Sequence, residues 1–141
     1  MTKSNSSSVL SKEQIDEVVG LYSSGKYQEA INKIQILNEA CPNVPLLFNL
    51  IGACYKALGQ LESSAIMFKK AVSIKPNYAE AHKNLGIVQK NLGMLEDSIQ
   101  SLKHAVFHKS DYLDAHYHLA NSLKDNNQLD DAVRSYEKVI L

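Results

Sequence analysis

A chain of 141 residues, 45% hydrophobic and 21% charged, has the composition of a soluble globular protein and is long enough for one ordinary domain. Its 15 Lys and Arg residues balance 15 Asp and Glu residues, so no net field favours nucleic acid or an anionic membrane surface; any electrostatic recognition has to be local. Cys41 and Cys54 are too few for a disulfide framework, and neither has a Cys or His at zinc-ligand spacing, which argues against a stapled fold and for a reducing cytoplasm.

Residues 1–10 carry Lys3 and then Asn5-Ser6-Ser7-Ser8, with no apolar stretch that could serve as a signal peptide, and read as a disordered lead. Asn5-Ser6-Ser7 matches the glycosylation sequon, but a chain without a secretory route gives it no use. No later run reaches membrane-spanning length. Ser11-Lys12-Glu13-Gln14 has the capping-box spacing and marks the start of the first helix. Gly20 to Lys26 spaces two glycines and a lysine like a phosphate-binding loop. Tyr27 stands where Ser or Thr would ligate magnesium, however, and Gly20 falls inside a helical pattern, so no nucleotide is expected.

From here the chain repeats with a period of 34. Residues 45–78 and 79–112 align without a gap and share 12 of 34 columns, among them Gly52/Gly86, Leu58/Leu92, Gly59/Gly93, Leu61/Leu95 and Ala71/Ala105. The third copy, 113–141, keeps the register through Leu119, Ala120, Leu129, Ala132 and Tyr136. Residues 11–44 match only in their second half, through Gly25, Tyr27, Ala30, Ile31 and Pro42, and read as a degenerate first repeat. Each unit predicts two helices of about 14 residues, because apolar residues recur three and four apart: Leu47, Leu50, Ile51, Cys54 and Leu58, then Leu61, Ala65, Phe68, Ala71 and Val72. Gly59-Gln60, Gly93-Met94 and Asn127-Gln128 supply the turn within each pair, and Pro42 and Pro76 end the second helices. Eight helices are expected. Gly52, Gly86 and Ala120 on first helices, with Ala30, Ser64, Ser98 and Ala132 on second helices, let backbones approach closely beside Phe48, Tyr55, Phe68, Leu102 and Tyr136.

Through Asn84-Leu85-Gly86, Gly93-Met94-Leu95-Glu96-Asp97-Ser98-Ile99 and Ala71-Val72-Ser73-Ile74-Lys75-Pro76, the chain resembles the tetratricopeptide repeats. Ala81 to Gly86 and Ala115 to Ala120 look most like the arrays that precede O-linked N-acetylglucosamine transferase catalytic domains, and like bacterial arrays of the same kind. The resemblance implies an all-α fold, a right-handed superhelical α-solenoid of antiparallel helix pairs over 11–141, with repeats at 11–44, 45–78, 79–112 and a shortened 113–141. Ser110 departs from the proline that Pro76 leads one to expect.

His104 and His108 lie four apart, a spacing that can hold a metal, but no Asp, Glu or Cys completes the set, and His108 shares the column of Ile74 and should be half-buried. His82 and His116 share the column of Phe48 and read as packing residues, as do Cys41 at a helix end and Cys54 in a core column. No nucleophile, base and orienting group can be assembled, so neither catalysis nor a cofactor is expected.

What remains is a stripe on the first helices. Leu46, Asn49, Ala53 and Lys56 recur as Glu80, Lys83, Ile87 and Lys90, then as Asp114, Tyr117, Asn121 and Lys124, away from the core columns. In the resembled family such residues line a concave groove holding a peptide. The expected groove residues are therefore Asn49, Ala53, Lys56, Lys83, Asn84, Ile87, Lys90, Tyr117, Asn121 and Lys124, with Lys56, Lys90 and Lys124 as a row of one lysine per repeat. Binding is expected on this side rather than on the convex side. The chain thus reads as a non-catalytic scaffold for a protein or peptide, alternatively as the substrate-presenting arm of a larger transferase. A co-chaperone clamp for a C-terminal carboxylate is not expected, since of its columns, Asn49, Ala53, Asn84, Asp114 and His118, only Asn84 fits. The last repeat stops at Leu141 with apolar Ala132, Val133, Tyr136, Val139 and Ile140 on its closing helix, so a following repeat, or else self-association through this helix pair, is expected to cover them.

Overall fold

The computed structural model describes residues 9–140. The lead expected at 1–10 lies outside them as far as residue 8, together with the sequon at Asn5, and so does Leu141. The described residues form eight α-helices and no strand: α1 (Lys12–Ser23), α2 (Tyr27–Ala40), α3 (Pro45–Ala57), α4 (Leu61–Ile74), α5 (Ala79–Asn91), α6 (Leu95–His108), α7 (Leu113–Asp125) and α8 (Leu129–Ile140). They are grouped in two compact units, Met1–Ile74 and Lys75–Leu141. Within the first, α1 packs on α2, α2 on α3 and α3 on α4; within the second, α5 packs on α6, α6 on α7 and α7 on α8, and α5 also reaches α7. No described helix is long and apolar enough to cross a membrane.

Local chemistry sets the helix ends. The Ser11 hydroxyl accepts from the Gln14 amide at 3.1 Å while the Gln14 side chain accepts from the Ser11 amide at 2.9 Å, the reciprocal pair that the sequence announces. Gly59 and Gly93 turn the chain between the helices of a pair at φ 78° and 81°, and Asn127 adopts φ 62° in the same column. The amides that follow reach back across each turn, Gln60 to the Tyr55 carbonyl, Met94 to Gln89 and Gln128 to Leu123, closing the helix ends in the Schellman manner. Ser110 forms the same turn as Pro76: the Tyr112 amide donates to the Lys109 carbonyl at 3.1 Å, as Tyr78 does to Lys75 at 3.0 Å. Proline is dispensable there because the turn is held by that bond.

Small residues bring the paired helices together. A Cβ on Gly52 would lie 2.7 Å from the Phe68 ring, and one on Gly86 2.6 Å from Leu102 Cγ, so each large side chain occupies the space its glycine leaves. Across the same contact Ser64 donates its hydroxyl to the Gly52 carbonyl and Ser98 to the Gly86 carbonyl, both at 2.7 Å. The serines in the small column are therefore also satisfied polar links, at no cost in unpaired hydroxyls. The first core is built from residues such as Val18, Ile31, Ile34, Leu47 and Cys54, the second from Ile99, Leu102, Leu119, Leu123 and Ala132.

Candidate functional site

The first-helix stripe takes its most organised form in the second unit. Lys83 on α5 donates to Asp114 on α7 at 2.8 Å, and Lys90 stands 3.4 Å from Asp125, so two cross-helix ion pairs bracket Ile87, Tyr117 and Asn121. Burial disfavours the Lys83 ammonium, but hydrogen bonds to Asp114 and Tyr112 outweigh it and hold the pKa above the ordinary lysine value. The Lys83 ammonium also lies 5.3 Å from the centre of the Tyr112 ring. Tyr136 on α8 donates its hydroxyl to the Asn121 carbonyl oxygen, which fixes that amide with its N–H donors directed elsewhere. The Tyr117 ring packs edge-on to Tyr136 at 6.3 Å and is 48% exposed. The result is a half-buried apolar and amide strip with charged pairs at its ends, able to accept a side chain against Ile87 and Tyr117 and to hydrogen-bond a peptide backbone. Lys124 is exposed beside it, and Asn84 is half-buried on α5.

In the first unit, α3 carries the corresponding positions. Asn49 is buried, whereas Ala53 and Lys56 are half-buried. Ala53 and Lys56 are therefore more accessible than Asn49, which was expected to line the groove. The expected lysine row is altered by its partners: Lys90 is neutralised by Asp125, a pairing that no repeat column announces because Asp125 has no acidic counterpart 34 residues earlier. Tyr136 is legible in the sequence only as a space-filling residue. His118, a column of the carboxylate clamp, stands 3.4 Å from Asp114, so an acid occupies the place where the clamp requires a base.

The buried histidines and Cys54 pack into the fold. His82 and His116 are each 8% exposed, and their Nε2 atoms lie 2.7 Å from the Pro76 carbonyl and 2.9 Å from the Ser110 carbonyl, so Nε2–H donates and ties the preceding turn to the next helix. Burial pushes the His82 imidazole below its ordinary pKa; the bond to Pro76 opposes this, and His104 and His108 reinforce it. Those two rings lie 5.1 and 5.7 Å from His82. His108 is exposed, not half-buried, because its column closes α6 beyond the last packed turn; Ile74, in the same column of α4, is also 37% exposed. Among the described residues no three His, Cys, Asp or Glu side chains gather closely enough for a metal. Burial raises the Cys54 thiol to about 11, which leaves it protonated and unreactive. Gly20 lies within α1, with no described strand before it, so the phosphate-loop spacing has none of its structural setting.

Two family descriptions match the chain: TPR repeat over residues 52–93 and Tetratricopeptide repeat over 113–141. No curated protein matches it. Similar solved structures include MamA 41-end from Desulfovibrio magneticus RS-1 (TM-score 0.82, 21% identity, 90% of this chain and 72% of that one). A second is a thermophilic tetratricopeptide protein of Thermus thermophilus (TM-score 0.75, 24% identity, 87% and 69%). A third is a Thermobaculum terrenum O-GlcNAc transferase mutant (TM-score 0.76, 25% identity), where 87% of this chain covers only 23% of that one.

Proposed function

Because this chain belongs to the tetratricopeptide repeat family, a family of protein-interaction scaffolds, we propose that it binds an extended or helical peptide segment of a partner protein along its first-helix stripe. The observation that carries this reading is the strip on α5 and α7, where Ile87, Tyr117 and Asn121 lie between the Lys83–Asp114 and Lys90–Asp125 pairs. Tyr117 supplies a rigid amphipathic surface, Asn121 an oriented amide, and the ion pairs a charged rim that excludes mismatched partners. Ala53 and Lys56 in the first unit, and Asn84 and Lys124 in the second, are the further proposed contacts; Asn49, expected among them, is buried and is left out. The repeats at 11–44, 45–78, 79–112 and 113–141 serve protein interaction, without catalysis or cofactor, in the reducing cytoplasm that two buried cysteines suit.

The test is a pull-down from the source cell with the wild-type chain and with Lys90, Tyr117 and Asn121 all replaced by alanine. The variant should keep its melting temperature within a few degrees and bind the captured protein about tenfold or more weakly. Equal capture by both proteins would place the site elsewhere. A second reading, a substrate-presenting arm of a larger glycosyltransferase, is favoured by the likeness to the Thermobaculum terrenum enzyme. A catalytic domain encoded beyond Leu141 in the native gene decides for it.

A further inference from the structure

We propose that the exposed side of α4 is a second docking surface, separate from the first-helix stripe, which takes an acidic segment of a partner protein anchored by an aromatic side chain with an N–H or O–H donor. Two cavities of about 550 and 180 Å³ adjoin in the first unit, and Phe48 and Lys70 belong to the walls of both. The larger is bounded by Ile66, Ile74, Lys69 and Lys70, and Ile66, 53% exposed, gives it an apolar wall open to solvent. The smaller runs inward between α2, α3 and α4 to Ile34, Leu47, Met67 and Asn38.

Three observations define the occupant. The linings of both cavities hold two ammonium groups and no carboxylate, and neither Lys69 nor Lys70 makes an ion pair among the described residues. A surface with as many acids as bases overall would ordinarily mix the signs, so this local excess of cations calls for a negatively charged partner. The Asn38 side-chain oxygen Oδ1 is buried at the inner cavity without a hydrogen-bond donor, a cost that an indole N–H or phenol O–H would remove. The hollow also recurs: Gln100, Lys103, His104, Phe107 and His108, which stand 34 residues after Ile66, Lys69, Lys70, Ser73 and Ile74, line a cavity of about 480 Å³ in the second unit, again without a carboxylate. Lys69 has its counterpart in Lys103, and Phe107 there is 79% exposed. The α4 wall of the hollow is thus repeated on the same columns of α6, whereas Asn43 and Phe48, which close it in the first unit, have no counterpart in the second lining.

The probe is the blocked peptide Asp-Glu-Trp-Glu-Asp, titrated into the full 141-residue chain and followed by amide chemical shifts. Saturable shifts at Phe48, Ile66, Lys69, Lys70 and Ser73 are expected, weakening about tenfold in K69E/K70E at an unchanged melting temperature. Replacing the acids of the probe by Asn and Gln, or its Trp by Phe, should weaken binding in turn. Absence of saturable shifts at millimolar peptide, shifts insensitive to K69E/K70E, or shifts confined to Lys90, Tyr117 and Asn121 would each overturn the proposal. The last outcome would leave the first-helix stripe intact as a site, and loss of partner capture by the stripe variant would leave this surface untouched.

Discussion

Gly52 and Gly86 show how one column controls the approach of two helices. Alanine at Gly86 gains about 1 kcal/mol of helix propensity, but its Cβ would lie 2.6 Å from the fully buried Leu102, and such overpacking costs about 1–3 kcal/mol. Gly86→Ala should therefore lower the melting temperature; a rise would mean that α5 and α6 can separate freely. His82 makes a second prediction. Its folded pKa lies below the ordinary imidazole value of 6.5, so below that pH the unfolded chain binds the additional proton more readily than the folded one. The stability present above 6.5 is lost as pH falls from there through the lowered folded value. His82→Phe, which copies the residue of the Phe48 column, should flatten the fall in denaturant midpoint between about pH 7 and 5. An equally steep fall in the variant would assign the acid sensitivity to other groups.

At the scale of the element, the turns within pairs are the most sequence-encoded parts of the structure, because a positive φ restricts the residue types that fit. Gly93 at φ 81° and Asn127 at φ 62° occupy equivalent positions. Left-handed backbone costs a residue with a Cβ about 1–2 kcal/mol, and Asn recovers part of that through local hydrogen bonds. Gly93→Ala should thus destabilise the chain by about 1 kcal/mol or more, while Asn127→Gly should be neutral or stabilising; chemical denaturation of the two variants checks both signs. The first repeat illustrates the reverse. Its first half fails to match the others in sequence, yet α1 is a complete helix with a capping box, since its helix rests on local capping and on burying Val18, not on the shared columns.

For the whole molecule, α8 presents Leu129, Val133 and Ile140 at 60%, 54% and 80% exposure along one face, with Tyr136 between them. An apolar stripe of this kind on a polar surface drives association. We expect a concentration-dependent mass by light scattering that returns to the monomer in Val133→Glu with Ile140→Lys. A monomeric mass at every concentration, or association that survives the double variant, would sink this expectation.

What the sequence by itself determined is everything that recurs in the 34-residue register or is settled within a few residues: the eight helices, the Gly59, Gly93 and Asn127 turns, the Ser11 cap, and the glycine and serine columns that admit Phe68 and Leu102. The candidate stripe was read as a set of positions from helix periodicity, and the structure leaves Asn49 buried among them. Its chemistry was not. Lys83 meets Asp114 from 31 residues away, Lys90 meets Asp125, and Tyr136 reaches Asn121 from α8. Such pairs depend on distances between helices of different repeats, or between the two helices of one, and no period within a helix encodes them. The exposure of His108 and the hollows beside Ile66 and Phe107 likewise came only with the tertiary structure, because an empty volume is set by where neighbouring side chains stop, and only packing decides that.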